Sequence, residues 1–169
     1  SENGSIYISG IFAQANVVNN NNRIYPKNIM ENAIMEYQRE WVDTQRAIGE
    51  INHPLEHIPN MEKAAILITE LTPKGDDIYG KAKVLNTEKG KIIQALLKDG
   101  VRIAVSTRGT GSIKKNKKGI NEVQDDYRIW AIDTVMNPGA PAAFVQATRE
   151  SINQNYSISE FKNFMNSLL

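Results

Sequence analysis

The clearest strand pattern in this chain lies in two runs, VRIAVS at residues 101–106 and YRIWAIDTVM at residues 127–136. Both runs are apolar and rich in β-branched or aromatic residues, and a connection rich in glycine and lysine separates them. Runs of this kind, bounded by turn-forming residues, are typical of strands. We therefore predict two strands, the first closed by Ser106 and the second carrying Asp133 among apolar neighbours.

The segments on either side of this pair add further strands and helices. Alternating or β-rich apolar runs predict strands at residues 5–18, 46–52, 63–72 and 77–86, the last two forming a hairpin around PKGDD. Apolar residues at helical spacing predict helices over about 27–43, between Thr87 and Gly100, and from Ser157 onward. The polar run NNNN at residues 19–22 is predicted to be a loop.

The order of these elements predicts an α+β fold. We expect a mostly antiparallel, β-barrel-like sheet, or a closed barrel, with helices packed around it. Residues 1–147 form one domain in this interpretation. Residues 148–169 form a linker and a C-terminal amphipathic helix.

Composition narrows the classes of function. The chain has 169 residues and a net charge of +1, which argues against a dedicated nucleic-acid binder. The basic run KKNKK at residues 114–118 suggests that the chain binds an anionic polymer. The near-neutral net charge of the chain favours the alternative, a solvated hairpin tip. No apolar run is long enough to predict a membrane span. Cysteine is absent, so a covalent catalyst would have to be Ser, Thr, Lys or a carboxylate.

The two histidines stand in the stretch IGEINHPLEHIP, residues 48–59, where HPLEH matches the H-x-x-E-H pattern of one class of zinc peptidase. That pattern requires a helix, which places both histidines on one face. Pro54 and Pro59 leave room for barely one helical turn. We therefore predict no metal site and no cofactor, and we interpret His57 as an exposed loop residue.

Ser106 is the candidate nucleophile and His53, at the end of a predicted strand, is the candidate base. A hydroxyl at a strand end, followed by turns that glycine permits, stands beside free backbone N–H groups that can bind an oxyanion. The segment that follows Ser106 reads Thr107-Arg108-Gly109-Thr110-Gly111, and the Arg108 charge can orient those amides or bind an oxyanion through water. The alternative is a hairpin turn with an incidental serine.

Asp133 is the candidate third member of a triad. A carboxylate among apolar neighbours is normally paired, and a bond to His53 would provide the pairing and select the tautomer that accepts the serine proton. Two alternatives stay open. Asp133 would instead form a structural salt bridge with Arg102 or Arg128, or Glu50 would take its place beside the histidine.

The chain resembles the prohead (procapsid) maturation serine proteases of large tailed bacteriophages, distant relatives of the herpesvirus assemblins. Four stretches carry the resemblance in order: N-x-N-x-R-x-Y-P up to Pro26, G-E-I-N-H-P at 49–54, V-S-T-R-G-x-G at 105–111 and I-D-T-V-x-N-P-x-A-P at 132–141. Family members commonly have a second serine where Thr107 stands. The resemblance covers roughly residues 5–147.

The resemblance implies a catalytic domain at residues 1–147 with Ser106 as nucleophile, His53 as general base and Asp133 at the third position. The same resemblance implies that the backbone around Thr107, Arg108 and Gly109 stabilises the oxyanion. It also implies digestion of internal scaffold proteins and trimming of capsid proteins inside the prohead, in the bacterial host cytoplasm. Cleavage after glutamate is typical of the family, so a basic group near the site is expected. Arg23 is our candidate for that contact, and the alternative is a salt bridge that holds its loop.

The resemblance further implies a homo-oligomer within the prohead and self-processing near the termini, with Glu2, Glu150 and Glu160 as candidate cleavage points. The partners expected are scaffold or core proteins and the major capsid protein, with no membrane and no specific nucleic acid. A second hypothesis from another class is a non-catalytic capsid-core or assembly protein with the same fold.

Overall fold

The computed structural model describes residues 4–151 as ten strands and two α-helices. The strands are β1 (Gly4–Gln14), β2 (Arg23–Ile24), β3 (Ile48–Gly49), β4 (Ile66–Lys74), β5 (Asp77–Val84), β6 (Ala104–Thr110), β7 (Ile113–Lys115), β8 (Asn121–Val123), β9 (Arg128–Val135) and β10 (Gln146–Ser151). The helices are α1 (Lys27–Tyr37), which continues into a π-helical turn (Gln38–Val42), and α2 (Glu88–Lys98). A short 3-10 turn spans Met61–Lys63. Within residues 4–151, no helix is both long enough and apolar enough to cross a membrane.

The pairing of the strands confirms the α+β class and its mostly antiparallel sheets. The largest sheet has the order β10-β1-β5-β4-β3, and its neighbouring strands are antiparallel. A second sheet contains β2, β8 and β7, and β6 pairs with β9 in a third. Because the described residues form three separate sheets, the expected closed barrel is not found among them.

Both helices form for the reasons that their sequences indicate. Helix α1 buries Met30, Ala33, Ile34 and Tyr37, the residues that recur at helical spacing. At the start of α2, the Thr87 hydroxyl accepts the Gly90 N–H at 3.0 Å, an N-cap bond. After its end, Gly100 adopts φ +85°, a conformation that favours glycine. The two predicted helices within the described residues are therefore confirmed.

The β6–β9 ribbon corrects the predicted position of Ser106. Strand β6 runs on to Thr110, so Ser106 lies inside the strand and not at its end. Gly109 and Gly111 do not form the turn that we predicted there. A Cβ atom on Gly109 would overlap the Tyr127 ring, and one on Gly111 would lie 2.9 Å from the Tyr127 Cα, so these glycines allow close packing.

The segment before His53 also differs from the prediction. The strand expected over residues 46–52 is reduced to β3, and Ile51 then forms a single parallel bridge with Thr134 of β9. A Cβ atom on Gly49 would overlap the Ile132 carbonyl oxygen. Glycine at this position therefore lets the segment lie directly against β9.

Strand β10 forms where the sequence predicted a linker. It pairs with β1 from Ser9↔Gln146 to Gly4↔Ser151 and so crosses the predicted domain boundary at residue 147. The predicted C-terminal helix lies outside the described residues. The division into a catalytic domain and a C-terminal segment stays a prediction.

Candidate active site

Ser106, Arg108 and Asp133 share one face of the β6–β9 ribbon. Alternate residues of a strand point to the same face, and Ser106 is paired directly with Asp133 across the two strands. Asp133 is fully buried, whereas Ser106 is half-buried. The antiparallel register therefore brings the candidate nucleophile and the candidate third member together, although they are far apart in the sequence.

His53 is delivered to this face by a segment that runs alongside β9. The Thr134 N–H donates to the Glu50 carbonyl oxygen at 2.9 Å, and the Asn52 N–H donates to the Thr134 carbonyl oxygen at 2.8 Å. Asn52 then turns the chain with φ +62°, which asparagine tolerates better than most residues. The result is a distance of 2.8 Å between His53 Nδ1 and Asp133 Oδ2.

This distance fixes the state of the histidine ring. A carboxylate can only accept, so the proton between the two groups lies on Nδ1 and leaves Nε2 as the basic nitrogen. The His53 side chain is 39% exposed and lines the same cleft as Ser106, which has a volume of about 450 Å³. Asp133 thus selects the tautomer that a general base requires.

The Arg108 side chain lies beneath the histidine, with its guanidinium bonded to the carboxylates. Its Nε donates to Asp133 Oδ2 at 2.9 Å, and one terminal nitrogen donates to Asp133 Oδ1 at 3.0 Å and to Glu50 Oε2 at 3.1 Å. The other terminal nitrogen donates to the Glu56 carbonyl oxygen at 2.7 Å. All three guanidinium nitrogens are therefore bonded to protein oxygens, and the predicted assistance of Arg108 to an oxyanion stays a prediction.

The buried cluster of Arg108, Asp133 and Glu50 has two carboxylates and one guanidinium, so it carries one excess negative charge. That charge lies next to the histidine, because Asp133 Oδ2 is 2.8 Å from His53 Nδ1. Burial and, after it, the Asp133 charge raise the pKa of the neighbouring Tyr37, which therefore stays protonated. The electrostatics suit a histidine that becomes positively charged during a reaction.

The structure also separates the alternatives for Asp133. Its salt-bridge partner is Arg108, since Arg102 stacks on Phe144 and Arg128 pairs with Glu40. The Glu50 carboxylate binds Arg108 and the Asn60 N–H, while the Glu50 N–H donates to Asp133 at 2.9 Å. Asp133, and not Glu50, is therefore the carboxylate at His53.

The remaining predicted residues border the cleft or its loop. Arg23 is exposed, lines the cleft and forms no ion pair with a carboxylate of residues 4–151. His57 is exposed, as predicted, and stacks on Trp130 with a centroid distance of 6.0 Å. The basic run 114–118 lies in the β7–β8 hairpin, as predicted.

The outer edge of β6 bears on the predicted oxyanion site. The Val105 N–H points away from β9 and donates to the Ala143 carbonyl oxygen at 3.0 Å. N–H groups alternate along a strand, so the Thr107 N–H points to the same edge, next to Ser106.

The Thr107 hydroxyl accepts from the Tyr127 hydroxyl at 3.2 Å. Burial raises the pKa of Tyr127, so its phenol keeps the proton that it donates.

Comparison with known proteins identifies the family of this chain. A family model described as prohead core protein serine protease matches residues 2–155, most of the chain. The chain belongs to this prohead core protease family. It is 40% identical over 143 residues to the prohead core protein protease of Enterobacteria phage T4, covering 83% of this chain and 68% of that protein. The structure of the bacteriophage T4 capsid assembly protease matches with a TM-score of 0.72 and 37% identity, covering 76% of this chain and 80% of that one.

One feature of this prohead core protease was not predicted from the sequence. The Asn-rich loop at residues 19–22 lies beside the candidate nucleophile, because the Asn20 N–H donates to the Gly139 carbonyl oxygen at 3.0 Å. Gly139 in turn adjoins the Ser106 hydroxyl. The run of asparagines that begins N-x-N-x-R-x-Y-P is visible in the sequence. Its position beside Ser106 depends on a contact between residues more than 100 positions apart, which the sequence does not reveal.

Proposed function

We propose that this prohead core protease is a serine endopeptidase that uses Ser106, His53 and Asp133. The arrangement of these three side chains supports the proposal. Ser106 faces Asp133 across the ribbon, His53 Nδ1 lies 2.8 Å from Asp133, and His53 and Ser106 line one cleft. A nucleophile, a base and a group that orients the base are the parts that acyl transfer requires.

In the proposed reaction, Ser106 Oγ attacks the scissile carbonyl carbon while His53 Nε2 takes the hydroxyl proton. The carbonyl electrons move onto the oxygen. The backbone N–H groups of Thr107 and Gly109, which alternation along β6 turns away from β9, are our candidates to stabilise it, whereas the predicted Arg108 N–H faces β9 and is left out. When the C–N bond breaks, His53 returns the proton to the leaving amine. Water then attacks the acyl-enzyme in the same way, giving a proton to His53, which returns it to Ser106 Oγ. Asp133 keeps its negative charge throughout.

We place the activity in phage assembly on the strength of the relatives, which are described as a prohead core protein protease and a capsid assembly protease. The proposed substrates are scaffold or core proteins and the major capsid protein, inside the prohead in the host cell. The proposal includes a homo-oligomer and self-processing after Glu2, Glu150 or Glu160. The competing hypothesis is a non-catalytic assembly protein with this fold.

A fluorophosphonate probe tests the catalytic class. We expect Ser106 Oγ to displace fluoride from the probe's phosphorus, and mass spectrometry of a tryptic digest should find the adduct on Ser106 alone. Labelling should be unaffected by a chelator. Heat-unfolded protein provides the control, because the reaction requires the folded triad. An unlabelled native protein, at concentrations that permit oligomers, would favour the non-catalytic assembly protein.

Arg23 supports a proposed preference for glutamate before the scissile bond. Its charge is exposed in the cleft and unpaired within residues 4–151, and none of the described residues that line the cleft is acidic. A charge-assisted hydrogen bond contributes about 1.5–3 kcal/mol. Arg23→Ala should therefore lower kcat/KM for a glutamyl peptide about 10- to 100-fold.

The matching glutaminyl peptide separates charge recognition from general damage. Wild type should cleave it more slowly, and Arg23→Ala should process it as wild type does. Lys27→Ala removes the same charge outside the cleft, from a lysine that lies 4.0 Å from Asp76, and should retain the wild-type preference. Equal losses on both peptides in Arg23→Ala would assign Arg23 to the loop and not to the substrate.

A further inference from the structure

Asn19 has a side chain whose orientation is fixed. Its Oδ1 accepts the backbone N–H groups of Asn21 at 2.9 Å and of Arg23 at 3.1 Å. Only the amide oxygen can accept these bonds, so Oδ1 and Nδ2 are assigned without ambiguity. The loop is tied again where the Asn19 N–H donates to the Arg23 carbonyl oxygen at 2.8 Å. Asn19 therefore presents Nδ2 from a rigid turn.

The loop is docked next to the nucleophile. The Asn20 N–H and Nδ2 donate to the carbonyl oxygens of Gly139 at 3.0 Å and Pro138 at 2.9 Å. A Cβ atom built on Gly139 would lie 3.6 Å from Ser106 Oγ and 3.6 Å from Asn19 Nδ2. Glycine leaves this space open. A substrate group that enters it lies close to both the attacking hydroxyl and the amide.

The Asn19 amide hydrogens have no assigned use inside the protein. Among residues 4–151, Asn19 Nδ2 makes no hydrogen bond, whereas the side-chain nitrogens of Asn20 and Asn22 donate to Pro138 and Gly119. Asn21 Nδ2 lies 3.3 Å from the same Gly139 Cβ position, but the Asn21 side chain is exposed and no bond orients its oxygen. Asn19 is thus the preorganised donor of the two.

We propose, on the basis of the function proposed above, that Asn19 Nδ2 donates a hydrogen bond to the scissile carbonyl oxygen as it becomes the oxyanion. The electron pair of the C=O bond moves onto that oxygen when Ser106 Oγ attacks. A donor that already points at the site needs no reorganisation at that moment, so it stabilises the transition state more than the bound substrate. Asn19 is a catalytic residue in this assignment.

Two substitutions at residue 19 test the assignment. Asn19→Asp keeps an acceptor for both backbone N–H groups and exchanges the donor for an oxygen. Asn19→Ser is uncharged and retains a weaker turn, but its hydroxyl is too short to reach the carbonyl oxygen. Loss of one such donor lowers kcat about 10²- to 10³-fold, and we expect at least that in both variants with KM little changed. Thermal unfolding should show that both variants fold.

Asn22→Asp is the matched control for charge, since it places the same carboxylate on the same loop at an exposed position whose side chain points to Gly119. Its kcat should stay within about twofold of wild type. A peptidyl trifluoromethyl ketone, which forms a tetrahedral adduct with serine, should bind Asn19→Ser about 100-fold more weakly than wild type.

Wild-type kcat and inhibitor affinity in Asn19→Ser would overturn the assignment, and so would equal losses in Asn19→Asp and Asn22→Asp. Failure of the proposed function gives a different result. In that case the wild-type protein itself neither cleaves the peptide nor reacts with the fluorophosphonate at Ser106.

Discussion

Replacing Ser106 with alanine is expected to reduce kcat on the order of 10⁶-fold, to the level of the uncatalysed reaction plus what binding alone provides. The variant lacks the oxygen that we propose as the nucleophile, so His53 has no hydroxyl proton to accept. Stability should change little. Ser106 is half-buried and its hydroxyl makes no hydrogen bond to residues 4–151, so removing it leaves no partner unsatisfied.

The measurement is cleavage of a glutamyl peptide and of a scaffold protein, followed beside thermal unfolding. Thr107→Ala is the matched control because it removes the neighbouring hydroxyl, which accepts a hydrogen bond from Tyr127 at 3.2 Å. That variant should keep most of its activity, since the proposed role of Thr107 uses its backbone N–H. Cleavage by Ser106→Ala at the wild-type rate would exclude Ser106 as the nucleophile.

Asp133→Asn is expected to reduce kcat about 10⁴-fold, because an amide next to His53 Nδ1 no longer selects the tautomer with a basic Nε2. It should also destabilise the protein. Asp133 accepts hydrogen bonds from His53, Arg108 and the Glu50 N–H, and it is fully buried. Loss of a buried ion-pair partner typically lowers the free energy of unfolding by about 3–5 kcal/mol. The loss in Asp133→Asn should be smaller, because the remaining amide oxygen still accepts a hydrogen bond.

Glu50→Gln is the control that separates the two effects. It removes the other carboxylate of the buried Arg108, at a distance of 3.1 Å, and within residues 4–151 the Glu50 carboxylate forms no hydrogen bond with His53. Denaturant unfolding should show a comparable loss of stability in both variants, while kcat falls far less in Glu50→Gln. If Glu50→Gln lost as much activity as Asp133→Asn, the activity would depend on the integrity of the cluster and not on the contact with the histidine.

Local patterns in the sequence were sufficient to predict both described helices and the longer strands, but they did not predict strand β10. The residues that α1 buries follow from helical spacing, and Thr87 and Gly100 delimit α2 through bonds within a few residues. Strand β10 gave no such signal. It lies at the edge of its sheet and residues 146–148 are exposed, so it lacks the apolar alternation of a half-buried strand.

The candidate site was predictable as a set of residue types, and less so as a geometry. Three residues stand out in the sequence: a histidine at the end of a predicted strand, a serine before a segment with glycines, and an aspartate among apolar neighbours, which are His53, Ser106 and Asp133. The direction of the Arg108 guanidinium depends on partners 25 to 58 residues away, which no local pattern encodes. The packing role of Gly109 could not be predicted either, because its contact with Tyr127 forms only when β6 and β9 pair.

The contact between Arg108 and Glu56 determines which kinds of change the loop after His53 can accept. Arg108 binds the carbonyl oxygen of Glu56, a group that every amino acid supplies, and Leu55 next to it is 97% exposed. The side chains of Leu55 and Glu56, which are exposed, are therefore free to vary, whereas His57 stacks on Trp130. A residue inserted or deleted there would move the carbonyl group away from the guanidinium. At Glu56 the loop is constrained in length and not in composition.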